Sequence, residues 1–188
     1  MSSHYLDIEV LRDPELPAHQ LLSALYAKLH RALVQFSVNS IAVSFPDYSA
    51  APPSLGSRMR LIGPELDLAR LLESAWLNGM RDHIELGGIA AVPADAALRT
   101  LRRVQAKSSP ERLRRRQMRR HGLTEAEALQ RAPDTAAEKL RLPFVQLASG
   151  STGQTFRLYL RMGTPVANSL TGEFNAFGLS GAASIPWF

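Results

Sequence analysis

Two hydrophobic periods alternate along the first half of the chain, and this alternation constrains the fold more than any other feature. His4 to Leu11 carries the β-formers Tyr5, Ile8 and Val10 ahead of a Pro14/Pro17 turn. Ala18 to Phe36 switches to a helical period, with Leu22, Leu25, Leu29, Leu33 and Phe36 spaced to form one buried face. Ile41 to Phe45 is a short apolar strand stopped by Pro46, and Arg58 to Ile62 alternates as a strand beyond a loop containing a Pro-Pro pair. Pro64 sits where a second helix begins, and Leu68, Leu71, Leu72, Trp76 and Met80 keep helical spacing. Ile84 to Val92 returns to strand character. The order is βαββαβ, the split βαβ or ferredoxin-like unit.

The second half obeys different rules. Ten basic residues and one acid, Glu111, lie between Arg99 and Arg120. Of the chain's 22 basic and 17 acidic residues, this leaves 12 and 16 elsewhere, a net of −4. The pI of about 10.1 therefore arises in one segment. Such a local field calls for a polyanionic partner, most often nucleic acid. Ser108-Ser109-Pro110-Glu111 is a helix start and Gly122 a stop. On the helix between them, Arg112, Arg115, Arg116, Arg119 and Arg120 fall within an arc of about 140°. Upstream, Arg103-Val104-Gln105 is extended, so Arg103 and Gln105 point the same way. Their side chains suit the edges of guanine and adenine. A-form RNA closes its major groove to ordinary side chains, so an arginine helix there implies a short hairpin. Charge alone does not separate RNA from DNA.

The expected organisation is α+β. A ferredoxin-like domain spans residues 1–93, a linker 94–98, and a smaller C-terminal α+β domain 99–188 with the arginine helix, a helix over Thr124 to Arg131 and a β-hairpin. The hairpin strands are Leu142 to Leu147 and Thr155 to Arg161, joined through Ser149-Gly150-Ser151-Thr152-Gly153. The absence of cysteine rules out disulfides and thiolate metal sites. No run reaches the roughly 20 apolar residues of a membrane span, and the N-terminus lacks a signal-peptide pattern. A soluble cytoplasmic protein is the expectation.

The five histidines, His4, His19, His30, His83 and His121, include no helical metal pair, and no acidic cluster resembles a two-metal site. Metal-free chemistry on RNA, with the ribose 2′-hydroxyl as nucleophile, is the natural reading. His30 follows Leu29 at the border of the apolar stripe. Position alone favours a boundary histidine without a role; the sharper reading is a partly desolvated acid or base near neutral pH. The Ser149–Gly153 turn is equally a plain loop or a ribose and phosphate site.

Several strings in order carry a resemblance over the whole chain: His4-Tyr-Leu-Asp-Ile, Lys28-Leu29-His30, Val43-Ser-Phe-Pro, Arg103-Val-Gln-Ala-Lys-Ser, Pro110-Glu-Arg-Leu-Arg-Arg-Arg, Met118-Arg-Arg-His, Ser151-Thr-Gly-Gln and Pro186-Trp-Phe. The chain resembles the CRISPR repeat-processing endoribonucleases of type I-F systems. The resemblance implies metal-independent cleavage of precursor RNA at the 3′ base of each repeat stem-loop, leaving a 2′,3′-cyclic phosphate and a 5′-hydroxyl. It implies no cofactor, a protein monomeric on its own, and a product held within a multisubunit surveillance complex. It makes His30 catalytic and gives Ser149 the orientation of the 2′-hydroxyl, with Ser151, Thr152 and Phe177 positioning substrate nearby. Arg103 and Gln105 correspond to the base-reading pair. Lys107, Arg112, Arg115, Arg116, Arg119 and Arg120 belong to the RNA-binding segment, and Phe156 stacks on the closing base pair. Two departures stand out: Phe177 replaces a tyrosine of the best-known pattern, and Gly150 replaces a bulkier polar residue. The first gives weight to an alternative, a non-catalytic hairpin-binding subunit of a ribonucleoprotein.

Overall fold

A computed structural model describes residues 3–105, 110–132, 140–150 and 153–188. Strand β1 (His4–Val10) lies at the centre of the main sheet. Its alternate residues Leu6, Ile8 and Val10 are buried, as the two-residue period requires. Helix α1 (Ala18–Gln35) buries Leu22, Leu25, Leu29 and Leu33 as the spacing predicts, and Leu21, Tyr26 and Ala32 with them. Phe36 departs from that expectation at 45% exposure. The helix ends in a Schellman closure, with Ser37 N–H on Val34 C=O and Val38 N–H on Leu33 C=O. Ser37 adopts φ 51° there, so the helix stops at Phe36, which is left exposed at the cap.

Strands β2 (Ala42–Ser44) and β5 (Arg58–Gly63) flank a small ribbon of β3 (Ser49–Ala50) and β4 (Pro53–Ser54). Helix α2 (Glu65–Glu73) opens after Pro64 and is shorter than its apolar spacing predicts. The Ser74 hydroxyl donates to Leu71 C=O at 2.6 Å, and Ala75 and Gly79 take positive φ, so the chain turns at once. Trp76 and Met80 still reach the core from those turns. The last expected strand divides at Gly87-Gly88 into β6 (Ile84–Leu86) and β7 (Ala90–Ala91), both antiparallel to β1. The strand order is β2-β5-β1-β6, antiparallel throughout.

Part of the expected linker is strand. Ala97–Arg99 (β8) pairs with the strand Ile185–Trp187 near the chain's end. Leu101–Val104 (β9) follows, then α3 (Pro110–His121) and α4 (Glu125–Arg131). Gly122 stops α3 at φ 64°, as its position predicts. Thr124 and Glu127 close a reciprocal capping box on α4, and those bonds hold the Glu127 carboxyl below its usual pKa. The predicted hairpin forms from β10 (Phe144–Ala148) and β11 (Thr155–Met162), and β9 completes its sheet in the order β10-β11-β9. The terminal strand Ile185–Trp187 is β12. The fold is α+β. In space the chain divides into Met1–Arg103 with Leu142–Phe188, and Val104–Arg141. No described helix is long and apolar enough to cross a membrane.

A buried guanidinium anchors the C-terminal segment to the main sheet. Arg60 on β5 is bidentate to Asp7, at 2.6 and 2.8 Å, and donates to Phe188 C=O at 2.6 Å. Its charge also lies 3.8 Å over the Phe188 ring.

Candidate active site and nucleic-acid interface

Residues 27, 30, 31 and 34 recur at the spacing of one helical face, so Ala27, His30, Arg31 and Val34 form one wall of an open groove of about 580 Å³. Leu147, Ala148 and Ser149 at the end of β10, with Phe156 on β11, form the opposite wall, and Phe177 closes the groove between them. The fold thus brings together four residues expected to act at one place: His30, Ser149, Phe156 and Phe177. Ser151 and Thr152 lie outside the described residues.

His30 is held on two sides. Its Nδ1 is 2.8 Å from the Ala176 carbonyl oxygen, and its ring stacks on Phe177 at 4.0 Å between centroids and 6° between planes. A carbonyl only accepts, so Nδ1 carries a proton, and in the neutral form of the ring the lone pair is on Nε2. What Phe177 supplies is a ring face and a backbone, both of which a tyrosine would supply equally.

The loop carrying Ala176 and Phe177 is itself fixed. Asn175 Oδ1 accepts from Phe177 N–H at 2.8 Å and from Leu179 N–H at 3.3 Å. Gly178 C=O accepts from Val43 N–H at 2.9 Å. Gly178 has φ 67°, and a Cβ there would meet Val43 Cγ2 at 2.5 Å, so both conformation and space require glycine. Tyr26, about 40° from His30 around α1, donates its hydroxyl to Phe177 C=O at 2.7 Å. Burial raises the Tyr26 pKa far above the usual tyrosine range, against the opposing pull of Arg103, so this donor keeps its proton. Two side chains one turn apart on α1 therefore grip successive carbonyls of one loop.

Ser149 is fixed by its backbone: its N–H donates to Gln154 C=O and its C=O accepts from Gly153 N–H, both at 2.8 Å. Arg103 lies 5.9 Å from both the Phe156 and Phe177 rings, which puts a permanent cation between the two aromatic groups of the groove. Gln105 is exposed, and Lys107 lies outside the described residues.

On α3, Arg115, Arg116, Arg119 and Arg120 are exposed and together line a shallow cleft, the single-sign face the spacing predicts. Arg112 belongs to the same helix. Arg114 points elsewhere and donates to Ala132 C=O beyond α4 at 3.1 Å. Among the described residues no three His, Asp or Glu side chains gather as a metal-binding group.

Sequence reasoning missed Arg31 and the Tyr26–Phe177 tie. Arg31 follows His30 directly and could have been found from the helical face alone. The tie joins residues 151 positions apart and leaves no local signal.

The family model described as "CRISPR-associated protein (Cas_Csy4)" matches residues 5–188. A CRISPR-associated endonuclease Cas6/Csy4 of Pseudomonas aeruginosa (strain UCBPP-PA14) is 51% identical over 185 residues, spanning 98% of this chain and 99% of its own. A CRISPR-associated endonuclease Cas6/Csy4 of Escherichia coli (strain UTI89 / UPEC) is 41% identical, with the same coverage of each. A solved structure described as "An RAMP protein binding different RNA substrates" is 12% identical, covers 98% of this chain and 100% of its own, and has a TM-score of 0.32, too low to argue from.

Proposed function

The chain belongs to the Cas_Csy4 family of CRISPR-associated proteins, and from that membership and the groove around His30 we propose a metal-independent endoribonuclease of type I-F systems. It cuts CRISPR precursor RNA at the 3′ base of the repeat stem-loop, in the cytoplasm. It is a monomer on its own and stays on its product within a larger ribonucleoprotein. The strand order β2-β5-β1-β6, with α1 and α2 between its strands, supports a ferredoxin-like frame for residues 1–93. The following 99–188 then serve RNA binding.

The observation that carries this reading is the hold of the Ala176 carbonyl on His30 Nδ1, which leaves Nε2 for proton exchange on a ring lining the same groove as Ser149. In the reaction the ribose 2′-oxygen loses its proton and bonds to the adjacent phosphorus. The P–O5′ bond breaks, the 5′-oxygen gains a proton, and a 2′,3′-cyclic phosphate remains. His30 exchanges a proton with the RNA through Nε2. Ser149, with Ser151 and Thr152 of the same loop, orients the 2′-hydroxyl. Arg31 offers the groove a cation for the charge developing on phosphorus. Phe156 stacks on the closing base pair while Arg103 and Gln105 read bases beside it. Lys107, Arg112, Arg115, Arg116, Arg119 and Arg120 take the stem phosphates.

The test uses the chain's own repeat RNA in excess chelator. Cleavage to a cyclic phosphate is expected there, and a 2′-deoxy substitution at the scissile ribose should abolish cutting while leaving binding nearly intact. Cleavage that needs a divalent ion, or that survives the 2′-deoxy substitution, would sink the mechanism.

A further inference from the structure

We propose that the outward face of the β10-β11-β9 sheet is a second RNA-binding surface, which takes single-stranded RNA continuous with the hairpin. The inference rests on the hairpin-binding reading above and adds to it a face built mainly on β10 and β11, apart from the arginine helix.

The face follows from strand alternation. On β11, Phe156 lines the groove and Leu158 and Leu160 are buried, so Arg157, Tyr159 and Arg161 point the other way. On β10, Val145 and Leu147 are buried, which turns Phe144 and Gln146 outward. On β9, Leu101 is buried and Arg103 faces the groove rings, so Arg102 between them shares the outward side. Register sets Phe144 opposite Tyr159 and Gln146 opposite Arg157.

The chemistry of this face is that of a single-strand platform. Arg102, Arg157 and Arg161 are exposed and form no ion pair among the described residues. None of the three strands carries an Asp or Glu, although exposed charged surfaces ordinarily mix both signs. Arg157 lies 4.6 Å over the Phe144 ring, and Phe144 meets Tyr159 edge to face at 5.4 Å. Both rings are half-buried, so they are rigid while still offering π-surface. Aromatic and guanidinium planes beside unpaired cations are what unpaired bases and their phosphates stack on and pair with. A folded duplex presents no free base faces to such a platform. Continuity favours the same transcript as occupant, because the reverse side of these strands carries Phe156 in the groove and Arg103 near its rings.

The test compares a hairpin made uncleavable by a 2′-deoxy ribose with the same hairpin carrying about eight unpaired nucleotides on its 5′ or its 3′ side. One extension should tighten binding roughly tenfold, as a single well-stacked base would. It should also steepen the salt dependence by about 2, the value for three phosphate contacts on a single strand. Arg157→Glu combined with Arg161→Glu should erase both gains, leaving hairpin affinity and hairpin cutting unchanged. Arg161→Glu alone, which touches neither ring contact, should erase part of them. The inference fails if neither extension adds affinity, or if the gain survives the charge reversals. It also fails if the reversals affect only the binding of another protein. Loss of binding to the plain hairpin by the unaltered protein would instead overturn the reading of the preceding subsection.

Discussion

The groove around His30 and the arginine face of α3 are built on opposite principles. In the groove each contact is made once: one imidazole, one carbonyl to hold its Nδ1–H, one ring to stack on it, one glycine that permits the turn. On α3 four exposed arginines repeat the same offer along a helix, and none is tied to the others. A site that must place a proton within tenths of an ångström needs unique, buried supports. A surface that must neutralise phosphates needs only charge in the right arc, and can lose one charge and still work. Substitutions in the two regions should therefore fail in different ways.

The largest contrast is expected at His30. Replacement by alanine removes the only group in the proposed mechanism that exchanges a proton with the RNA. His30→Ala should slow single-turnover cleavage by about 10²- to 10⁴-fold while hairpin affinity stays within error. A cutting rate left unchanged would put the active site elsewhere, or favour the non-catalytic hairpin-binding alternative.

Arg119→Ala should give the complementary result. Removing one phosphate contact weakens binding across RNA sequences and lowers the slope of log affinity against log salt by about 1. The cleavage rate of bound RNA should hold. Because the α3 face is exposed and its arginines do not support the core, the melting temperature should hold too. An unchanged salt slope would remove Arg119 from the interface.

The same contrast explains what the chain reveals before it folds. The arginine face rests on the three- and four-residue spacing of its side chains, so it is readable from spacing alone. The hairpin of β10 and β11, the central strands and the buried stripe of α1 were legible for the same reason, since periods of 2 and 3.6 are local. Where a local period met a long-range constraint, the reading slipped. The apolar spacing of Leu68 to Met80 continues past Glu73, but Ser74 and the positive φ at Ala75 end the helix while tertiary packing still buries Trp76 and Met80. Phe36 has the right spacing and sits one residue too late, at the cap. In the groove, position alone raises His30 and the Ser149 turn beside plainer readings of each, and only resemblance decides for the site. The partners of His30 sit 146 and 147 residues downstream, and nothing local to Lys28-Leu29-His30 announces Ala176 or Phe177.

The smallest predicted effect probes the support of the groove rather than its chemistry. Tyr26→Phe keeps the buried ring and removes one hydroxyl, which leaves the Phe177 carbonyl without its donor. The remaining ties, Asn175 to Phe177 N–H and Val43 to Gly178 C=O, still hold the loop in outline. The cost should be about 1 kcal/mol, read as a fall of about 2–4 °C in melting temperature for a chain of this size. Burial raises the Tyr26 pKa in the fold, so the wild type should lose this contribution as pH climbs past the ordinary tyrosine range, and the variant should not. With the loop less firmly set, Ala176 competes less well for Nδ1–H. Nitrogen chemical shifts of His30 should then register more of the Nε2–H tautomer, which cannot accept a proton at Nε2. Cleavage should slow several-fold while hairpin affinity and its salt slope do not move. That is the reverse of Arg119→Ala at a fraction of the size of His30→Ala. A Tyr26→Phe protein that binds less tightly but cuts bound RNA at the full rate would break the separation between the two regions.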